Sequence, residues 1–256
     1  MLLAAERREK ILEMLREDGH VKVSELSKVF GISEVTIRQD LEKLEEEQQL
    51  RRVHGGAILN NAGNNVREFS LVTRDHQDAK QAIAREAVKL IKNGDTIILD
   101  SGSTTTEIAH LIMGFTNLTV ITNALNIAMI LGSNPGINLL VTGGEFKSPT
   151  LSLTGQKAAD FFVNLHADKV FLATAGINIE TGLTYPSVSD LVVKKAMIDA
   201  SEHVYLVADS SKIGKSAFAC LGSLSLVDTI ITDDAMTLKD QELLLRQNID
   251  IVIAKL

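Results

Sequence analysis

Two rhythms of apolar residues divide this chain. In its first part they fall three and four apart, the spacing of one buried helix face. Ile11, Leu12 and Leu15 predict a helix from about Glu6 to Glu17, ended by Asp18-Gly19. Val21-Lys22-Val23 reads as a brief extended piece. Ser24 is placed to cap a short second helix carrying Leu26 and Phe30, which Gly31 stops. Ser33 caps a third, whose buried stripe is Ile37, Leu41 and Leu44. Leu50 to Ile58, with its paired Gly55-Gly56, predicts two short strands or a glycine-rich loop. Residues 59–66 are asparagine- and glycine-rich, offer nothing to bury, and read as a linker.

From Lys80 onward, short apolar runs alternate with amphipathic stretches. The pattern predicts helix 78–92, strand Thr96–Asp100, helix Thr105–Met113, strand Leu118–Thr122 and helix 124–132. Strand Ile137–Thr142, helix 155–165, strand Lys169–Ala175, helix 188–200 and strands His203–Ala208 and Thr229–Thr232 follow. Apolar strands embedded between helices imply a largely parallel sheet covered on both faces. The fold class is therefore an α+β winged helix-turn-helix domain at 1–58, a linker at 59–77 and a Rossmann-like α/β domain at 78–256.

Composition changes this picture little. With 45% hydrophobic and 23% charged residues, the 256-residue chain can bury a sizeable core without metal or disulfide staples. The single Cys220 lies among Phe218, Ala219 and Leu221 and is expected to be a buried, inert thiol. The apolar start Met1–Ala5 runs straight into Glu6-Arg7-Arg8, so no signal peptide, membrane span or membrane partner is expected, and the location is read as cytoplasmic. Net charge is −7, and residues 1–60 hold 10 Lys/Arg against 12 Asp/Glu, a net of −2. Charge alone therefore gives no sign of nucleic acid; local arrangement has to carry that reading.

It does so in the third helix. Phe30-Gly31-Ile32-Ser33 supplies a tight turn and a cap, and Glu34, Thr36, Arg38, Gln39 and Lys43 form a polar face able to reach base edges or phosphates. Arg38 suits a bidentate base contact. Arg51, Arg52 and His54, beside the glycine pair, suit a wing lying on phosphate. Taken singly, each of these is also an ordinary solvated surface residue; the order of the elements favours the functional reading. The run Glu45-Glu46-Glu47 reads as a solvated helix end. Ser33 to Leu41, followed by Arg51-Arg52-Val53-His54-Gly55-Gly56-Ala57, resembles the signature of DeoR-family bacterial transcriptional regulators. Gln39 stands where that family usually has a basic residue, and Gln48 where it usually has glycine.

Asp95 to Leu99 followed by Asp100-Ser101-Gly102-Ser103-Thr104-Thr105 is a strand, a Gly/Ser/Thr turn and a helix start, an arrangement that favours an oxyanion. It is neither a Walker loop nor GxGxxG, and such a turn is as often a plain connection. The resemblance sharpens it: the family's C-terminal domain is similar to ribose-phosphate isomerase of type A. It implies that Lys80 and Ser101, Gly102, Ser103, Thr104 and Thr105 hold a phosphate. It also implies that Asp209-Ser210-Ser211-Lys212 lies at the sugar site, with Asp100 and Lys212 on sugar hydroxyls. That isomerase carries carboxylates after its central strand, whereas Ala173 to Asn178 has none here before Glu180, so proton transfer lacks its base. The six histidines lack ligand spacing, and neither metal nor cofactor is expected. The expected partners are double-stranded operator DNA, a phosphorylated sugar or related effector, and further copies of the chain as a homodimer or homotetramer. The alternatives are a sugar-phosphate isomerase with an accessory winged domain, or a protein-interaction module.

Overall fold

The computed structural model describes residues 3–59, 75–148 and 150–256, and the chain divides into two compact units, 1–70 with 147–150, and 71–146 with 151–256. In the first, α1 (Ala4–Asp18), β1 (His20–Lys22), α2 (Val23–Phe30) and α3 (Glu34–Glu46) precede the hairpin β2 (Leu50–Val53) and β3 (Gly56–Leu59). The three strands pair in the order β1-β3-β2. The predicted stripes meet as its core: Ile11, Leu15, Leu26, Ile37, Leu41, Leu44 and Leu50 are all essentially inaccessible. Helix α2 begins one residue before the expected cap. Lys22 is its N-cap without a side-chain bond, because Val23 is buried and continues the helical stripe that Ser24 was expected to precede. Leu59, expected in the linker, closes β3 and is buried; residues 60–74 of that linker lie outside the described residues, and its last residue, Gln77, already opens the next helix.

Helix α3 ends on Gln48, which takes φ 58° while its N–H bonds to the Glu45 carbonyl and the Gln49 N–H to the Leu44 carbonyl. This is a left-handed helix stop, ordinarily occupied by glycine because a Cβ is strained there. Gln48→Gly is expected to raise the stability of this unit by about 0.5–1 kcal/mol, less than the strain removed because glycine also loosens the unfolded chain. Urea melts of the two proteins check this; an unchanged or lowered midpoint would show that the Gln48 side chain repays the strain.

The second unit is built on seven parallel strands in the order β15-β14-β12-β9-β4-β5-β6. These are β4 (Thr96–Leu99), β5 (Leu118–Thr122), β6 (Ile137–Val141), β9 (Ala167–Leu172), β12 (Ser201–Val207), β14 (Thr229–Asp233) and β15 (Asp250–Ala254). Alternation along each strand feeds two cores. Ile98, Val170, Leu172, Leu206 and Ile230 pack with Val193 and Met197 of α8 (Leu191–Asp199). Ile97, Leu99, Phe171, Val207 and Ile231 pack on the other face with Ile83 of α4 (Gln77–Val88) and Ile108 of α5 (Ser103–Leu111).

Several elements depart from the expected pattern. The helix expected over 155–165 is a regular α7 only at Gln156–Asp160, after α6 (Leu125–Leu131) and the short pair β7 (Glu145–Lys147) and β8 (Ser152–Thr154). A three-stranded antiparallel sheet, β10 (Gly176–Asn178), β11 (Gly182–Tyr185) and β13 (Ala219–Gly222), and a helix α9 (Leu238–Leu245) complete the unit. Cys220 is exposed rather than buried. On β13 the alternation turns Ala219 inward and Cys220 outward, and its thiol donates to the Thr181 carbonyl.

Candidate functional site

In the first unit, the pitch of α3 turns Ile37, Asp40, Leu41 and Leu44 inward and leaves Glu34, Val35, Arg38, Gln39 and Lys43 exposed along one face. Ser33 Oγ accepts the Thr36 N–H at 3.2 Å and lies 2.9 Å from the Thr36 hydroxyl, so both residues fasten the helix start. The Arg38 guanidinium donates to Glu34 Oε2 at 2.6 Å; both side chains are about half exposed, and such a surface pair is readily exchanged for a better acceptor. Arg51, Arg52 and His54 are exposed on the hairpin. Glu45, expected to be merely solvated, accepts the Arg52 N–H at 2.7 Å, and Glu42 lies 3.5 Å from the Arg52 guanidinium, so acidic residues of α3 brace the wing against it. Val35, which the sequence reading passed over, is 62% exposed on that face. Its signal was an apolar residue out of phase with the buried stripe.

Beneath that face lies a buried ion pair. Arg7 of α1 meets Asp40 in a two-pronged contact, Nε to Oδ2 at 2.6 Å and a terminal nitrogen to Oδ1 at 3.1 Å. Asp40 belongs to the motif that carries the resemblance, and its inward position shows why: it fixes α3 against α1.

In the second unit the chain order reverses at β4. Strands β5 and β6 are laid to one side and β9, β12 and β14 to the other, so the carboxyl ends of β4 and β9 flank the switch point where open parallel sheets hold ligands. Asp100 leaves β4 there and is fully buried. Its carboxylate accepts the Ser101 N–H at 2.8 Å, the Ala173 N–H at 3.0 Å and Lys194 Nζ at 2.6 Å. Gly102 then starts α5 where the backbone passes close to the β9 exit: a Cβ on it would lie 2.6 Å from that of Ala173. Ser101, Gly102 and Ser103 are half-buried, and the first amides of α5 have no partner within the helix. Thr105 is turned fully inward, its hydroxyl donating to the Asp100 and Gly102 carbonyls.

Lys80 of α4 is buried in the neighbourhood of Asp209 and Lys212. Burial pulls its pKa below the ordinary lysine value, Asp209 opposes that shift, and Lys212 adds to it. Asp209, at the exit of β12, is buried and caps a short 3-10 turn, Ser210–Lys212, by accepting from both the backbone and the hydroxyl of Ser211. Its neighbour Asp233 accepts from the Ser210 N–H at 2.6 Å and hydroxyl at 2.9 Å. The Ser101–Thr105 segment thus follows the carboxyl end of β4 and Asp209–Lys212 that of β12, with Lys80 on α4 under the influence of Asp209 and Lys212, and Asp100 engaged by protein donors. Lys194, which the sequence reading missed, stands beside them. It has no local signature, since its partner lies 94 positions away.

The chain resembles known proteins over nearly its whole length. The DeoR-like helix-turn-helix domain matches residues 7–62, and the DeoR C-terminal sensor domain matches residues 75–234. The HTH-type transcriptional regulator YulB of Bacillus subtilis is 38% identical over 92% of this chain and 91% of its own. The putative aga operon transcriptional repressor of Escherichia coli O157:H7 is 33% identical over 97% and 93%, and the glycerol-3-phosphate regulon repressor of Escherichia coli K12 is 33% identical over 89% and 90%. Among solved structures, ribose 5-phosphate isomerase A of Methanocaldococcus jannaschii aligns with 54% of each chain at 19% identity and a TM-score of 0.41. Among the described residues, no helix is long and apolar enough to cross a membrane.

Proposed function

The chain belongs to the DeoR family of helix-turn-helix transcriptional regulators, and from that premise we propose that it represses a carbohydrate-related operon until a phosphorylated small molecule binds its second unit. The observation that carries the effector half is the α5 start, where the first amides, without a partner inside the helix, meet Ser101, Ser103 and Thr104 at the sheet's switch point, with Lys80 of α4 as the cation. Relatives named as repressors of the aga operon and of a glycerol-3-phosphate regulon support a sugar or polyol phosphate. Asp209 and Lys212 contact the part of the effector away from phosphate. The chain is not an enzyme in this reading, since Ala173, Thr174 and Ala175 bring no carboxylate to the β9 exit.

On the DNA side, Arg38, Gln39 and Lys43, with Glu34 and Thr36, read the major groove, Val35 meets a thymine methyl, and Ser33 holds the helix start at the backbone. Arg51, Arg52 and His54 lie on phosphate. A winged unit with net charge −2 holds DNA weakly alone, so two or four copies engage repeated half-sites. Arg38→Ala is expected to lose about 1–3 kcal/mol of operator affinity and to relax specificity, and Arg51→Ala to weaken all sequences alike. Equal losses on operator and random DNA from both variants would remove that division.

The experiment for the effector half is operator release, measured by fluorescence anisotropy with phosphorylated sugars and polyols and each unphosphorylated parent. An effector acts only if it binds the DNA-competent and DNA-free states with different affinity. Release by a phosphorylated compound and not by its parent is expected. Unchanged operator affinity with every compound, at concentrations that saturate phosphate binding, would refute the mechanism.

A further inference from the structure

Lys194 and Asp100 form an ion pair of which almost nothing reaches solvent: their side chains are 7% and 0% exposed, with Nζ 2.6 Å from Oδ2. The pair stands at the switch point, two hydrogen bonds from the phosphate turn, because the same Asp100 carboxylate accepts the Ser101 N–H. Oδ2 also takes the Ala173 N–H, so three of the carboxylate's four acceptor positions face protein donors, while Lys194 has donors to spare. One of its N–H groups serves Asp100, and the ammonium sits 4.7 Å from the centroid of the Tyr185 ring, whose own hydroxyl donates to the Ala173 carbonyl. That leaves an N–H without a protein acceptor among the described residues.

Resting on the phosphate reading above, we propose that Lys194 donates this hydrogen bond to the effector's end away from phosphate, and that Asp100, by neutralising it, restricts that end to an uncharged hydroxyl or carbonyl group. The physical reason is the charge count. A neutral oxygen adds a hydrogen bond to a closed plus-minus pair, whereas a carboxylate turns it into a buried site of net charge −1 beside Asp100. Asp100 also acts on Tyr185, whose pKa lies well above its usual value, chiefly through burial. Lys80 differs in place: it lies in the first turn of α4 with Asp209, Asp75, Glu107 and Lys212 acting on it, and in the phosphate reading it serves the charged end. The two lysines approach the strand ends from opposite faces of the sheet and sort the two ends of one ligand, Lys80 the charged end and Lys194 the uncharged one.

The test compares glucitol 6-phosphate with 6-phosphogluconate, equal in carbon count and differing in a terminal carboxylate, by calorimetric titration of the full chain, with inorganic phosphate as reference. The wild type is expected to prefer the polyol by about tenfold, the weight of one ordinary charged contact. Asp100→Asn removes the counter-charge and should shift the ratio toward the acid. Lys194→Gln leaves Asp100 a donor but no cation and should shift the ratio further toward the polyol. Because the readout is a ratio within each protein, a general weakening from altered packing cancels, and the opposite signs of the two variants separate charge from structure. Equal affinities in the wild type, ratios that do not move, or binding of inorganic phosphate with neither organic probe would overturn the assignment and leave the phosphate reading standing. Failure of all three phosphates to bind would remove that reading as well.

Discussion

Arg7→Met is expected to unfold most of the winged unit at growth temperature. The guanidinium meets Asp40 through two contacts, and the two side chains are 10% and 8% exposed. Taking away one partner of such a pair leaves an uncompensated charge in the core, a loss of about 3–5 kcal/mol. A unit of this size has only about 3–9 kcal/mol in total. The consequence reaches DNA binding because Asp40 sits on α3, between the outward residues Arg38, Gln39 and Lys43. Operator affinity should therefore fall although Arg7 lies on another helix. The double variant Arg7→Met/Asp40→Leu removes both charges and should recover most of the stability. Urea unfolding of all three proteins measures this; a loss below about 1 kcal/mol for the single variant would mean that water reaches the pair and screens it.

Lys80→Met should remove phosphate recognition while leaving a folded second unit. A buried lysine sheds an energetic burden when made apolar, whereas a charged hydrogen bond to phosphate contributes about 1.5–3 kcal/mol, roughly 10- to 150-fold in affinity. The pH dependence is a second signature. Burial first, and Lys212 after it, lower the Lys80 pKa, while Asp209, Asp75 and Glu107 oppose them. The folded chain therefore releases this proton at a lower pH than the unfolded chain. Between the two values the unfolded state holds more protons, so this residue's contribution to stability rises with pH up to the unfolded value of about 10.4. Bound phosphate restores the proton, so affinity falls as pH climbs through the ligand-free pKa. In Lys80→Met both dependences should vanish. A variant whose phosphate affinity and pH profile match the wild type would place the anion elsewhere.

What the sequence made legible was whatever is local. The stripes of α1 and α3, the apolar runs of β4, β5, β9 and β12, and the turn Ser101–Thr105 all announce themselves within a dozen residues. Helix α9 is absent from the sequence reading although its start carries a local signal: Thr237 accepts the Asp240 N–H, a capping pattern visible as Thr followed three residues later by an acid. The strands β10, β11 and β13 were not legible, because three or four residues broken by glycine give too few positions for a period to show. Pairings between distant elements were also hidden. Nothing near Arg7 or Lys194 distinguishes them from solvated cations, and only the fold brings Asp40 and Asp100 to them. Cys220 failed for the opposite reason, since apolar neighbours imply burial only if the segment is not an alternating strand.

The switch point also orders events in time. Strand β4 can meet β5 and β6 as soon as residues up to 141 are in place, but its other flank waits for β9. The Ala173 to Asp100 bond spans 73 positions and the Lys194 bond 94, so closing them restricts long loops before any contact rewards it. If the joint closes only after the rate-limiting barrier, a small molecule seated across it slows the rate at which the native chain comes apart and leaves the rate of folding almost untouched. Effector binding would then be visible as a longer native lifetime, and so as slower proteolysis of the regulator.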